Sequence, residues 1–179
     1  MSAKPNKKNI KPETRKPLAK HIKNNRKDEG KFNYTNIIIV LSILLVTYVS
    51  FYPSLKNGFT NWDDPGYVTE NPNITHLKAE NIKHLFSTSY FAVGNYHPLT
   101  MLSLAIDYDS AKLSPARYHE VNVLFHLLNT LLVFIFIYRL SGKKIIVAAI
   151  VATLFGIHPM HVESVSWISG RKDVLFTFF

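Results

Sequence analysis

The chain has 179 residues, no cysteine and a formal net charge of +9. Without cysteine, disulfides and thiolate metal sites are excluded, and the absence of a glycine-rich phosphate loop or an internal repeat argues against soluble nucleotide-binding and repeat folds. Residues 1–33 hold 11 Lys and Arg against 3 Asp and Glu, so almost all of the net charge lies there. This predicts a basic, disordered tail that contacts lipid headgroups on the cytoplasmic side of a membrane, and no nucleic-acid partner.

Three apolar segments follow the tail. Residues 36–52 are 17 residues without a formal charge, near the lower limit for crossing a hydrocarbon core of about 30 Å. Residues 121–140 are long enough, whereas residues 145–157 give only about 20 Å of helix and must continue past His158 or end inside protein. We interpret the first segment as an uncleaved anchor, because its basic region is long and residues 48–53 lack a small-x-small cleavage pattern.

These segments predict an all-α, multi-pass helical membrane protein. The basic turn at residues 139–144 agrees with the basic tail, so the positive-inside rule places the amino terminus in the cytoplasm and the protein in the plasma membrane. The predicted domains are a tail at 1–33, transmembrane helices at 34–55, 119–140 and 143–158, outer loops at 56–118 and 159–172, and the start of a fourth transmembrane helix at 173–179.

The first outer loop is too apolar and too patterned for a plain linker. Residues 77–86 group their apolar side chains on one side of a helix, and a second helix is expected to begin at Pro98 and to end at Asp107 and Asp109. Ser114 is expected to cap the second transmembrane helix. The sequence therefore predicts interfacial helices that lie along the membrane.

Two adjacent carboxylates, Asp63 and Asp64, follow the first apolar segment on the outer side. They are framed by Phe59, Trp62 and Pro65, surroundings that can fix a carboxylate. A carboxylate so fixed can abstract a proton or bind a divalent metal. The pair is the leading candidate for a catalytic or metal site.

A polar stripe runs along the second transmembrane segment. Its members are spaced 3, 4 and 3 residues apart and share one face of a helix: His119, Asn122, His126 and Asn129. Polar groups at membrane depth face other helices or a wet cavity. We favour interhelical hydrogen bonds over a substrate cavity, and a transport or cation-binding module is a weaker alternative because the stripe has no charged residue at mid-membrane depth.

The segment after the third apolar run combines a helix break with polar residues. His158 precedes a proline and should leave helical geometry. His158, His161 and Glu163 have no recognised metal-ligand spacing, so polar structure at the break is favoured over a divalent-metal site. Arg171 and Lys172 oppose the positive-inside tendency on the outer side, and an anionic ligand would explain them.

Four motifs carry a family resemblance that covers about residues 55–179. They are NGFTNWDDPGYVTENP, YHPLTMLSLAIDY, YHEVNVLFHLLNTLLVFIFIYRL and FGIHPMHVESVSWISGRKDVLFTFF. In this order they resemble the amino-terminal part of bacterial membrane proteins with tetratricopeptide repeats and of the transmembrane and tetratricopeptide-repeat O-mannosyltransferases, both of the GT-C glycosyltransferase type. The stretch 107–112 departs from the more apolar family pattern, which affects the expected acceptor contacts.

The resemblance implies transfer of a sugar, with mannose as a candidate, from a polyprenyl-phosphate donor in the membrane to a protein or other acceptor on the outer face. The family's outer-loop acidic pair corresponds to Asp63 and Asp64, one of which would deprotonate the acceptor hydroxyl or help to hold a metal. The family's donor-phosphate region corresponds to Arg171, Lys172 and Asp173. His97 and His158 match the family's His-Pro positions; with His161 and Glu163 they complete the expected substrate-binding set.

Two further expectations concern the extent of the chain and its alternative role. GT-C folds need more helices than this chain supplies, so we expect the 179-residue polypeptide to be an amino-terminal part that is inactive alone. The alternative to a transferase is a noncatalytic membrane anchor or assembly protein, in which the acids only stabilise the turn at residues 64–66.

Overall fold

The computed structural model describes residues 33–179, which contain helices and turns and no β-strand. The predicted tail therefore lies outside the described residues, apart from Asn33. Residues 33–179 contain seven α-helices: α1 (Tyr34–Phe51), α2 (Ala79–Leu85), α3 (Pro98–Ala111), α4 (Pro115–Leu140), α5 (Ile145–Ile157), α6 (His161–Ser166) and α7 (Arg171–Phe178). Short turns of 3-10 helix follow α1 and precede α7, at Tyr52–Lys56 and Ile168–Gly170. The all-α prediction is confirmed.

Two of the described helical segments are long and apolar enough to cross a membrane, Tyr34–Lys56 and Pro115–Leu140. Asn33 caps the first by accepting a hydrogen bond from the Asn36 amide at 3.1 Å. Both helices leave many large apolar side chains exposed, with Leu45 and Phe136 among them. Exposure of this extent differs from the buried core helix of a soluble domain and is typical of helices that face lipid.

Helix α5 has 13 residues and packs against both α1 and α4. It ends at Ile157, and His158 has the extended backbone (ψ 130°) that a residue before proline favours. The predicted break at His158 is therefore confirmed.

Small side chains allow the close packing of α5. Ala148, Ala152 and Gly156 recur every four residues and are buried, so they form one face of the helix. At Gly156 this face meets Thr47 of α1 and Thr130 of α4, both fully buried. The absence of a side chain at Gly156 therefore lets α5 pack closely against Thr47 of α1 and Thr130 of α4.

We expect Gly156→Ala to destabilise the fold by about 1–3 kcal/mol, because over-packed sites cost that much. A Cβ at Gly156 would clash with the Thr47 hydroxyl and lie 3.1 Å from the Thr130 methyl group. Gly58→Ala is the matched control, since no described atom lies within 4 Å of its added Cβ. Thermal unfolding in detergent micelles measures both variants, and equal melting temperatures would contradict the packing argument.

Residues 56–118, the predicted first outer loop, contribute most of one hydrophobic core. Tyr67, Met101 and Leu104 are fully buried there, together with Tyr118 at the start of α4 and Ile168 before α7. The loop and the segment before α7 therefore share one core. This shared core positions the polar residues of the two outer segments.

Helix boundaries in the loop differ in part from the prediction. Helix α2 lies within the predicted residues 77–86, and α3 begins at Pro98 as expected. However, α3 continues past Asp107 and Asp109, so the predicted end was wrong. Asp107 is tolerated inside the helix because its buried carboxylate is paired with Arg171. Ser114 occupies the predicted N-cap position of α4, but its side chain makes no capping hydrogen bond.

Candidate functional site

Asp64 is fully buried and has both carboxylate oxygens occupied. Oδ2 accepts hydrogen bonds from the Thr60 amide at 2.7 Å and the Thr60 hydroxyl at 3.1 Å. Oδ1 accepts from the Ser169 amide at 3.1 Å and the Ser169 hydroxyl at 2.5 Å. The carboxylate therefore ties the first outer loop to the segment just before α7, across 105 residues of chain.

Asp63, the neighbouring acid, is in a different environment. Its side chain is 19% exposed, and Oδ2 lies 3.9 Å from Nζ of Lys172, which is 26% exposed. The Lys172 ammonium also lies over two aromatic rings, 5.7 Å from the Tyr67 centroid and 5.3 Å from the Trp167 centroid. Of the two predicted catalytic acids, Asp63 is thus the one with a carboxylate that a substrate can reach.

The acidic pair does not fit a divalent metal ion. Each oxygen of Asp64 already accepts two hydrogen bonds, and Asp63 lies beside a cation. Within residues 33–179, no group of three or more His, Asp or Glu side chains is placed to hold a metal. Hard cations need several free oxygen ligands, so the geometry favours proton transfer over metal binding at Asp63.

Arg171 is completely buried at the start of α7. Its guanidinium donates to the Asn122 side-chain oxygen, to the Ser103 hydroxyl at 2.6 Å, and to Asp107 Oδ2 and the Tyr118 carbonyl at 2.8 Å each. The anionic ligand that we expected at Arg171 is therefore a carboxylate of the protein itself. This gives Arg171 a positioning role, because it holds the helix that carries Lys172.

Opposite effects act on the ionisation of this buried pair. Burial raises the pKa of Asp107 and lowers the pKa of Arg171, while the attraction between the two charges opposes both shifts. Arg117 adds a second cation, with Nε 3.4 Å from Asp107 Oδ1. Removal of either side chain would therefore leave the other as an uncompensated buried charge.

The polar stripe of α4 is buried and bonds mainly to other segments. Asn122 donates to the Trp167 carbonyl at 2.8 Å, and Asn129 donates to the Val174 carbonyl at 2.7 Å. His126 Nε2 donates to the Gly156 carbonyl at 2.9 Å. His119 is buried as well. These contacts favour the interhelical explanation of the stripe over a substrate cavity.

His97 is placed beside the charged residues of α7. It immediately precedes α3 and lines a groove of about 230 Å³ that Lys172 also lines. Burial and the Lys172 charge lower the pKa of His97, whereas the charge of Asp173 raises it. Asp173 itself accepts a hydrogen bond from the Ser164 hydroxyl at 3.2 Å. His97, Lys172 and Asp173 thus interact electrostatically, next to Asp63.

We expect His97 to make stability depend on pH. Its folded pKa lies below the ordinary 6.5, so the unfolded chain binds a proton more readily. The contribution of neutral His97 to the free energy of unfolding is complete above pH 6.5 and is lost as the pH falls through the lowered folded pKa. Melting temperatures of wild type and His97→Gln between pH 5 and pH 8 measure this. The difference between them should change below pH 6.5 and stay constant above it; a constant difference throughout would contradict the assignment.

The remaining predicted site residues follow α5. His158 is exposed, and its Nδ1 accepts from the Met160 amide at 3.3 Å. His161 packs its ring 4.6 Å from that of Phe155, and burial lowers its pKa. Glu163 is exposed and lines an open cleft. These residues form no metal-binding group among the described residues, which favours polar structure at the helix break.

Comparison with known proteins gives one consistent group. The chain is 30% identical over 159 residues to protein O-mannosyl-transferase TMTC3 of Mus musculus, with 84% of this chain and 17% of the relative covered. It is 26% identical over 160 residues to human TMTC3 (84% and 16%), and 30% identical over 137 residues to Tmtc1 of Drosophila melanogaster (72% and 16%). The predicted relation to the TMTC O-mannosyl-transferases is confirmed.

The chain spans about one-sixth of the length of these TMTC relatives. No protein-family model matches it, and no solved structure matches it. The TMTC relatives themselves are named protein O-mannosyl-transferases.

Sequence reasoning missed the partners that organise the site. Asp107 was interpreted as a helix end and as part of a stretch that departs from the family pattern, although it is the carboxylate that Arg171 contacts. Ser169 and Thr60, which occupy the oxygens of Asp64, were not singled out. One signal was available for Asp107, because an acid within an apolar segment usually has a buried cationic partner.

Proposed function

We propose that this chain forms the acceptor-activating and donor-phosphate region of a membrane glycosyltransferase. The enzyme would transfer a sugar from a polyprenyl-phosphate donor to a hydroxyl group of a protein acceptor on the outer face. Mannose is the proposed sugar because the relatives are named protein O-mannosyl-transferases. The observation that carries the proposal is the accessible Asp63 carboxylate, 3.9 Å from the Lys172 ammonium.

The two charges suit the two halves of the reaction. Asp63 takes the proton of the acceptor hydroxyl as its oxygen attacks the anomeric carbon, and the bond from that carbon to the phosphate oxygen breaks. Polyprenyl phosphate leaves with the electron pair of that bond, and Lys172 stabilises the negative charge that develops on it. His97, whose pKa is lowered, remains neutral at pH 7 and can donate or accept a hydrogen bond there.

An apolar groove leads away from this charged pair. Lys172 and His97 line it together with Leu99, Phe176 and Phe179. A second cavity of about 330 Å³ shares Leu99 and Phe179 and extends along α4. A cation in the wall of an apolar groove fits a lipid that carries one phosphate. This is the support for a polyprenyl-phosphate donor.

The membrane arrangement is also a proposal. Helices α1 and α4 would span the bilayer, and the shorter α5 would form a third, incomplete crossing between them. The basic residues at 139–144 would be cytoplasmic with the amino terminus, so the outer loops would lie on the other side of the plasma membrane.

The test is sugar transfer in membranes that contain the natural product of the gene encoding this sequence. Polyprenyl-phosphate mannose is the donor, and a threonine-containing peptide is the acceptor. Lys172→Met should raise the KM for the donor about 10- to 100-fold, the equivalent of about 1.5–3 kcal/mol for a charged hydrogen bond. Lys172→Arg keeps the charge and should retain most of the donor affinity.

Two results would count against the proposal. Absence of transfer by wild type with every polyprenyl-phosphate sugar would contradict the transferase function. Equal donor KM values for wild type and Lys172→Met would instead remove Lys172 from donor binding.

A further inference from the structure

An open cleft of about 470 Å³ lies between the first outer loop and the segment after α5. Its lining residues are Thr60, Asn61, Trp62, Glu163, Ser166 and Trp167. The volume is within the range of small-ligand sites, about 300–1,000 Å³. The cleft is distinct from the apolar groove, with which it shares no lining residue.

Both tryptophans of the chain lie in this cleft. The Trp62 side chain is 82% exposed, although aromatic side chains of this size are usually well buried. Trp167 is held in place, because its indole N–H donates to the Thr60 hydroxyl at 2.9 Å. One wall of the cleft is therefore fixed, and the other presents a free indole.

The fixed wall adjoins the charged pair. The Lys172 ammonium that lies 5.3 Å from the Trp167 ring centroid is also 3.9 Å from Asp63. Asp63 directly follows Trp62 in the chain. Lys172 thus contacts one residue of the cleft, Trp167, and also lines the apolar groove.

We propose that the cleft is the binding site for the acceptor peptide, and this inference rests on the proposed function. If the groove holds the lipid donor, the cleft beside Trp167 is the second cavity that adjoins Lys172, and the acceptor hydroxyl would come from there. The Asn61 amide offers a donor and an acceptor to peptide backbone groups, and the Glu163 carboxylate offers an acceptor. The Ser166 hydroxyl, which donates to Ser54 at 3.0 Å, can still accept. The exposed Trp62 indole offers an apolar contact. Polar groups beside a rigid aromatic surface suit a peptide better than a lipid chain.

Tryptophan fluorescence of the purified 179-residue chain in detergent micelles, excited selectively at the red edge of the indole band, tests the proposal, since both tryptophans line the cleft. The probe is an acetylated and amidated seven-residue peptide with a central threonine among alanines and glycines. We expect a saturable change in emission for wild type. Trp62→Ala should weaken binding about tenfold, observed through Trp167, as is typical of an aromatic anchor. Glu163→Gln should weaken it to a smaller extent.

Phe91→Ala is the control, because Phe91 is an exposed aromatic outside the cleft; it should leave peptide affinity unchanged. Saturation by methyl α-mannoside but not by the peptide would overturn the proposal in favour of a sugar site. An absence of any peptide response, or equal affinities for wild type and Trp62→Ala, would also overturn it.

The binding experiment needs no donor and no catalysis, so its outcome is separate from that of the transfer assay. Transfer without peptide binding in the cleft would contradict only the location of the acceptor. Peptide binding without transfer would contradict the proposed function, but the cleft would still be a peptide-binding site.

Discussion

Asp63→Asn is expected to reduce sugar transfer at least about 100-fold, because a positioned general base contributes about 10²–10⁴-fold. The amide keeps the shape of the side chain but cannot accept the proton of the acceptor hydroxyl. Asp63 is partly exposed and has one long contact to Lys172, so the melting temperature should change little. The transfer assay in membranes, normalised to the amount of folded protein, measures the effect.

Asp64→Asn is the matched comparison, since the same chemical change is made one residue further along. Its amide cannot accept all four hydrogen bonds from Thr60 and Ser169, and an unsatisfied buried donor costs about 1–3 kcal/mol. We therefore expect less folded protein and a lower melting temperature. If both variants transfer sugar as well as wild type, the two acids only stabilise the turn at residues 64–66. That result would favour the noncatalytic anchor or assembly protein.

Asp107→Asn is expected to destabilise the fold by about 3–5 kcal/mol, because it leaves the buried charge of Arg171 without its partner. This corresponds to a melting temperature lower by roughly 10 °C for a chain of this size. The other guanidinium contacts, to the Asn122 side-chain oxygen, the Ser103 hydroxyl and the Tyr118 carbonyl, carry no opposing charge. Thermal unfolding in micelles measures the change.

Two further variants test whether the effect of Asp107→Asn comes from its buried ion pair with Arg171. Asp109→Asn removes an exposed carboxylate from a surface pair with Lys112 at 3.9 Å and should cost less than about 1 kcal/mol. The double variant Asp107→Asn with Arg171→Gln should be destabilised less than the sum of the two single changes. Additive effects would show that the two charges are not coupled.

Features set by local chemistry were predictable from the sequence. The start of α3 follows from Pro98, the end of α5 from the proline after His158, and the burial of the polar stripe from its helical spacing. Each depends on residues within a few positions of one another. The family relation was predictable as well, because its motifs are contiguous.

Features set by distant partners were not predictable. Arg171 was explained by an external anion because nothing in its neighbourhood indicates Asp107, 64 residues away. Asp63 and Asp64 have the same chemistry and almost the same sequence context. What distinguishes them is the contact that Asp64 makes with Ser169, 105 residues away, in addition to its local hydrogen bonds from Thr60.

In the proposed membrane arrangement, the short length of α5 would set the depth of the proposed site. Its 13 residues rise about 20 Å, whereas the hydrocarbon core is about 30 Å thick. With its first turn at the cytoplasmic boundary, the helix would end about 10 Å below the opposite boundary. The segment that leads to Lys172 would then begin inside the bilayer, so a lipid phosphate would meet this lysine without being lifted into water. The acceptor protein would have to bring its hydroxyl down to the membrane surface.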